Sequence, residues 1–123
     1  MILGLGIDIV NVDRIKHWLT VEGLPERFFC KEELDSARSN GTAAPLSLAA
    51  RFAAKEAFGK ALGTGLRGIR LKDIFVINSH NGKPELRLFG TALDSLKKIN
   101  AKKVHLSLTH EKSIAAAVVI IEG

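Results

Sequence analysis

The sequence is poor in several residue types: one cysteine, no tyrosine, one tryptophan and three prolines among 123 residues. A lone Cys30 excludes an internal disulfide and gives no sign of an oxidising compartment. One cysteine and four scattered histidines cannot be arranged into a zinc-ligand spacing. Long hydrophobic runs are missing too. The longest, Ile114 to Ile121, is too short to span a bilayer. No basic region precedes the amino-terminal apolar stretch, and Asp8 interrupts it, so a secretory signal is not expected. The reading is a cytoplasmic protein with no membrane partner.

Hydrophobic residues at 46% and charged residues at 25% are typical of a folded chain, and the length suits a single domain over residues 1–123. A formal net charge of +5 favours anionic partners. Nucleic acid is not the expected one. Lys97, Lys98, Lys102 and Lys103 lack the interleaved aromatics that stack on bases, and they read as a solvated helix end and turn.

Ile2 to Val10 reads as a strand, with Asn11 or Asp13 capping a short helix that runs to Thr20. Pro25 to Phe29 and Lys31 to Arg38 are short helical pieces. Leu46 to Leu62, dense in Ala, Leu and Phe, is the strongest helix; Gly63-Thr64-Gly65 ends it. Ile74 to Ser79 and Glu85 to Phe89 form a hairpin around His80-Asn81-Gly82-Lys83. A helix over Thr91 to Asn100 and strands at Val104 to Thr109 and Ile114 to Ile121 complete the chain. Helices and hairpins are grouped rather than alternating, so the fold class is α+β.

Three features sit badly with a purely structural role. Asp8 shares a strand face with Gly4, Gly6 and Val10, opposite Leu3, Leu5, Ile7 and Ile9. A carboxylate there needs compensation, and the glycines clear room for a close neighbour; the plainer reading is a helix cap or a partner for Arg14. The long helix carries only Arg51, Lys55, Glu56 and Lys60 as charges. At about 100° per residue, Arg51 and Lys55 fall together and repel, so an anion is expected beside them, while Glu56 and Lys60 have the order of an i,i+4 ion pair. A helix that is apolar nearly all round is usually buried, so its few charges need partners. Finally, His105, Ser107 and Thr109 share one face of a strand, either as a solvated face or as donors to phosphate and ribose oxygens.

Gly6-Ile7-Asp8-Ile9 followed far downstream by Arg51-Phe52-Ala53-Ala54-Lys55-Glu56-Ala57-Phe58-Gly59-Lys60-Ala61 resembles the two-part signature of the 4′-phosphopantetheinyl transferases. Short length, Gly63-Thr64-Gly65, Asn81-Gly82-Lys83-Pro84 and the His105 to His110 segment are similar to the holo-acyl-carrier-protein synthase branch. The resemblance covers nearly the whole chain and is weakest from Thr20 to Pro45. It implies an antiparallel sheet packed against a long central helix, assembled as a homotrimer with active sites at subunit interfaces. It implies transfer of 4′-phosphopantetheine from coenzyme A to a serine of apo acyl carrier protein, releasing adenosine 3′,5′-bisphosphate, in support of fatty acid biosynthesis. By the same resemblance Asp8 and Glu56 are ligands of Mg2+, Lys60 lies near the phosphates, and Glu56 and Lys60 are the catalytic pair. Arg51, Lys55, Pro84, His105, Ser107 and Thr109 match positions near coenzyme A, and Arg14 matches a contact to the acidic carrier protein. The serine's proton acceptor is either Glu56 or a metal-bound water.

Overall fold

A computed structural model describes residues 1–123. The pattern of a helix that is apolar on every side is satisfied by wrapping it. The central helix α4 (Ala44–Leu62) takes its charge-poor surface to the middle of the molecule, where Leu48, Ala49, Phe52, Ala53, Ala54, Ala57 and Phe58 are buried. Pro45 lies in its first turn, where the missing N–H has no helical partner to lose, so the helix starts earlier than Leu46. Gly63, at φ 82°, closes it in the left-handed conformation that glycine adopts without strain.

Against α4 lies a three-stranded antiparallel sheet, ordered with β5 (Ile114–Glu122) between β1 (Ile2–Asn11) and β4 (Lys103–His110). The first and last strands of the chain are therefore neighbours, with Asp8 opposite Ala117 and Leu5 opposite Ile120. Four helices complete the fold: α1 (Val12–Trp18), α2 (Pro25–Phe28), α3 (Lys31–Arg38) and α5 (Gly90–Lys98). A separate hairpin joins β2 (Ile74–Asn78) to β3 (Pro84–Leu88). The α+β expectation and the antiparallel sheet on a long helix both hold. Element ends differ from the expected ones by at most two residues, as helix fraying and cap geometry allow. Asn11, not Asp8, caps α1: its side chain accepts from the Asp13 amide at 3.0 Å.

The contact between β1 and α4 positions everything that follows. A β-carbon added to Gly6 would stand 2.0 Å from the Ala57 carbonyl oxygen, and one added to Gly4 would stand 1.8 Å from that of Ala61. The strand backbone thus lies directly on the helix backbone. Two strand residues advance about 6.7 Å and one helical turn about 5.4 Å, so successive inward strand positions meet successive helical turns. Gly4 meets Ala61, Gly6 meets Ala57, and the next inward residue, Asp8, reaches the turn that carries Glu56. Gly6→Ala is expected to cost about 3 kcal/mol in urea unfolding, the upper range of overpacking, because the obstructing atoms are backbone and cannot rotate away. A variant as stable as the parent would show that the helix can move off the strand.

Candidate active site

Asp8 leaves the inner face of β1 half-buried, with its carboxylate accepting from the Lys60 ammonium at 2.9 Å. Lys60 also donates to the Ile7 carbonyl at 3.1 Å. The i,i+4 pairing of Glu56 with Lys60 that the helix spacing suggests is not formed. Lys60 reaches across to β1 instead, because the glycine-lined approach brings Asp8 within reach. Glu56, one turn before Lys60, is also half-buried. Burial pushes its carboxyl above the usual range, the nearby Asp8 carboxylate pushes it further, and Lys60 and Arg14 oppose both. Two carboxylates crowded together with cations at their edge form a site short of positive charge at its centre. Oxygen donors of this kind suit a hard cation such as Mg2+, which is held through one or two carboxylates with water and phosphate completing its shell. The fold holds no group of three or more His, Cys, Asp or Glu side chains that could enclose a metal, so a cation at this pair would take the rest of its shell from water and phosphate.

Arg14, on α1, lies with its guanidinium 5.1 Å from the Trp18 ring centre and 5.3 Å from that of Phe52. It does not pair with Asp8. The two rings hold a cation beside the acid pair and on an accessible helix surface.

The other half of the motif turns away from this site. Lys55 is 0% exposed, and its ammonium donates to Glu33 at 2.7 Å, to the Phe28 carbonyl at 2.8 Å and to the Leu71 carbonyl at 3.0 Å. All three donors of the ammonium are engaged inside the protein. Lys55 therefore has a structural role in place of the direct coenzyme A contact that the resemblance implies. The anion expected beside Arg51 and Lys55 is thus an internal one, Glu33 on α3. Sequence reading passed over it because its partners are far along the chain and α3 looks like an ordinary solvated helix.

Arg51 differs from Lys55. Its Nη atoms donate to the hydroxyls of Ser47 and Ser36, while the buried Nε has no partner in the chain. Arg51 lines a cleft of about 200 Å³ with Glu32, Ser36, Phe75 and Asn78. A buried donor left free at a cleft is suited to an acceptor brought by a ligand.

His105, Ser107 and Thr109 lie exposed on β4, opposite Ile120, Val118 and Ala116 of β5. His105 Nε2 lies 2.9 Å from the Glu122 carboxylate, which it holds below the usual range. His105 also shares a cleft of about 190 Å³ with Pro84 at the start of β3. These residues occupy the outer sheet face, whereas Asp8 and α4 occupy the inner one. One copy of the chain therefore does not bring the two sets together.

Cys30 is not a hidden nucleophile. Burial lifts its thiol to about 11. Against a free cysteine, alkylation by iodoacetamide at pH 8 is expected to run about tenfold slower, the loss of thiolate being partly offset by greater intrinsic nucleophilicity. A rate equal to that of free cysteine would contradict this.

A glycine-cleared strand thus brings two carboxylates and a lysine paired with one of them together, oxygen donors and a cation of the kind that phosphate-handling sites use. Residues 4–119 match the model of the 4′-phosphopantetheinyl transferase superfamily. The chain is 65% identical over 123 residues to the holo-[acyl-carrier-protein] synthase of Treponema denticola, covering all of both chains. It superposes on the crystal structure of holo-[acyl-carrier-protein] synthase from Neisseria meningitidis with a TM-score of 0.88 and 38% identity over 100% of both chains. With that from Bacillus anthracis in complex with CoA (3′,5′-ADP), the TM-score is 0.83 and the identity 37%, over 99% of this chain and 97% of the other. The chain belongs to the 4′-phosphopantetheinyl transferase superfamily, in its holo-[acyl-carrier-protein] synthase family.

Proposed function

We propose that residues 1–123 act as one transferase domain that moves 4′-phosphopantetheine from coenzyme A to a serine hydroxyl of apo acyl carrier protein, releasing adenosine 3′,5′-bisphosphate and supplying fatty acid biosynthesis in the cytoplasm. The observation that carries this reading is the convergence of Asp8, Glu56 and Lys60 at the glycine-cleared contact of β1 with α4. Asp8 and Glu56 would hold Mg2+. Bound there, the cation supplies charge neutralisation at the diphosphate and at the transferred phosphoryl group.

The remaining work falls to the chain's own side chains. Phosphoryl transfer depends on positioning and charge more than on covalent chemistry. Lys60, already directed at Asp8, offers a cation to the phosphate oxygens and limits repulsion between the two acids. Glu56 and Lys60 are the residues closest in role to catalysis. Arg51, through its free Nε, His105, Ser107 and Thr109, through the outer sheet face, and Pro84, from the neighbouring hairpin across the cleft it shares with His105, would contact coenzyme A. Arg14 would meet the acidic carrier protein, whose approach a positive surface accelerates in a salt-dependent way.

The proposal includes the homotrimer that the family resemblance implies, and the same placement supports an interface between copies. Leu5, Ile7 and Ile9 are each more than 60% exposed on the outer face of β1, beside Val118 and Ile120 of β5. An apolar strip of this kind is a surface for another chain. A second copy covering it would also bring its own polar strand face toward a neighbour's acid pair, joining the two halves that one copy keeps apart. No helix is long and apolar enough to cross a membrane.

The decisive assay incubates the protein with apo acyl carrier protein, coenzyme A and Mg2+, and weighs the carrier protein. The expected outcome is a phosphopantetheine adduct that disappears with a chelator and returns with added Mg2+. No adduct under any divalent cation would reject the reading. Sedimentation equilibrium is expected to give three chains per particle, and Ile7→Glu is expected to dissociate them.

A further inference from the structure

The lysine run near the end of α5 is not among the residues assigned above to the transfer reaction. All four lysines are exposed at the helix end and turn, as expected, and three of them also border a groove. Lys97, Lys102 and Lys103 rim a groove of about 400 Å³, within the range of small-molecule sites. Its floor is apolar, formed by Leu88 of β3, Leu93 and Leu96 of α5, and Val104 of β4. The groove exists because β3 and β4 belong to separate sheets: β3 pairs only with β2, and β4 only with β5. None of the three rim lysines forms an ion pair within the chain.

An apolar floor asks for hydrocarbon, and unpaired ammonium groups at its edge ask for an anion. From this complementarity we infer that the groove binds a single-chain anionic amphiphile: an alkyl chain along the leucines, with a carboxylate or equivalent head among the lysines. The lysine stems extend the apolar walls while their charges stay at the rim, which suits a ligand with a sharp boundary between tail and head. Leu86 and Val104 are common to this groove and to the Pro84–His105 cleft, so an occupant would lie against the same two side chains.

The test is calorimetric titration of the full chain with straight-chain carboxylates of eight to twelve carbons, below their micelle concentrations. Affinity is expected to rise roughly fourfold per added methylene. Decanoate is expected to bind at least about tenfold more tightly than decanol, because charge-assisted contacts replace neutral ones. Leu93→Glu, at a partly exposed position that tolerates a polar side chain, is expected to abolish binding. Lys97→Glu combined with Lys102→Glu is expected to remove the preference for decanoate over decanol, and Lys112→Glu, in the β4–β5 turn, to leave binding unchanged. Equal binding of decanol and decanoate by the parent, or undiminished binding by Leu93→Glu, would overturn the inference. So would capture of the protein by phosphatidylglycerol vesicles without binding of monomeric carboxylate, which would indicate a membrane-facing surface instead.

Discussion

Replacing Asp8 with alanine is expected to lower the rate of phosphopantetheine transfer by about a hundredfold or more, the scale on which lost electrostatic stabilisation of a transition state is felt. With Asp8 removed, one carboxylate remains to hold a divalent cation, and Lys60 loses the partner that directs it. Glu56→Ala is expected to act as strongly, and Glu56→Gln should do so while preserving shape. Stability should barely respond. The Asp8–Lys60 pair is partly solvent-exposed, with half of the Lys60 side chain in water, and pairs of this kind contribute about 0–1 kcal/mol. A melting temperature within a few degrees of the parent is therefore expected alongside the kinetic loss. In the metal-free protein, Asp8→Ala should also let the Glu56 carboxyl titrate lower, since one of the two causes that hold it up is gone. Carbon-detected NMR of the Glu56 carboxyl reads this directly. Parental rates in both alanine variants would refute the metal site even with the activity established.

Lys55→Ala is expected to act in the opposite way, with a large effect on stability. It would strand Glu33, which is 3% exposed and otherwise accepts only from the Cys30 amide at 3.2 Å and the Val76 amide at 3.3 Å. Removing one partner of a buried ion pair costs about 3–5 kcal/mol, because the remaining charge has no solvent to return to. For a chain of this length that is a fall of roughly 10–20 °C in melting temperature. Replacing both partners with apolar residues, Glu33→Leu with Lys55→Met, should recover much of the loss, since the desolvation cost of both charges disappears as well. A coenzyme A contact at Lys55 would give a different result: unchanged melting and a raised KM for coenzyme A. The two roles are therefore separated by one thermal scan and one titration of substrate.

The Lys55–Glu33 pair shows where reading along the chain stops. Repulsion between Arg51 and Lys55 could be inferred from helical spacing, and with it the need for an anion. The anion's identity could not, because Glu33 stands 22 residues away on a helix whose own pattern is that of a solvated surface. Lys60 illustrates the same limit. Local spacing offers it Glu56, but the ion pair forms with Asp8, 52 residues distant. Local rules rank neighbours on one element and are silent about what another element brings.

Periodicity by itself determined which residues share a face: Gly4, Gly6 and Asp8 together on the opening strand, His105, Ser107 and Thr109 together on β4. Density in Ala, Leu and Phe marked the central helix and the Asn81-Gly82 turn marked the hairpin, while the link from Asp8 to Glu56 and Lys60 came from the family resemblance alone. Only the tertiary structure decided which face is covered. The glycine side of β1 turned inward, because absent side chains let two backbones touch, and the large apolar side was left bare. An alternating pattern is symmetric about the strand and carries no record of where the helix will lie. That choice comes from the packing of α4, and from the pairing of the first strand with the last.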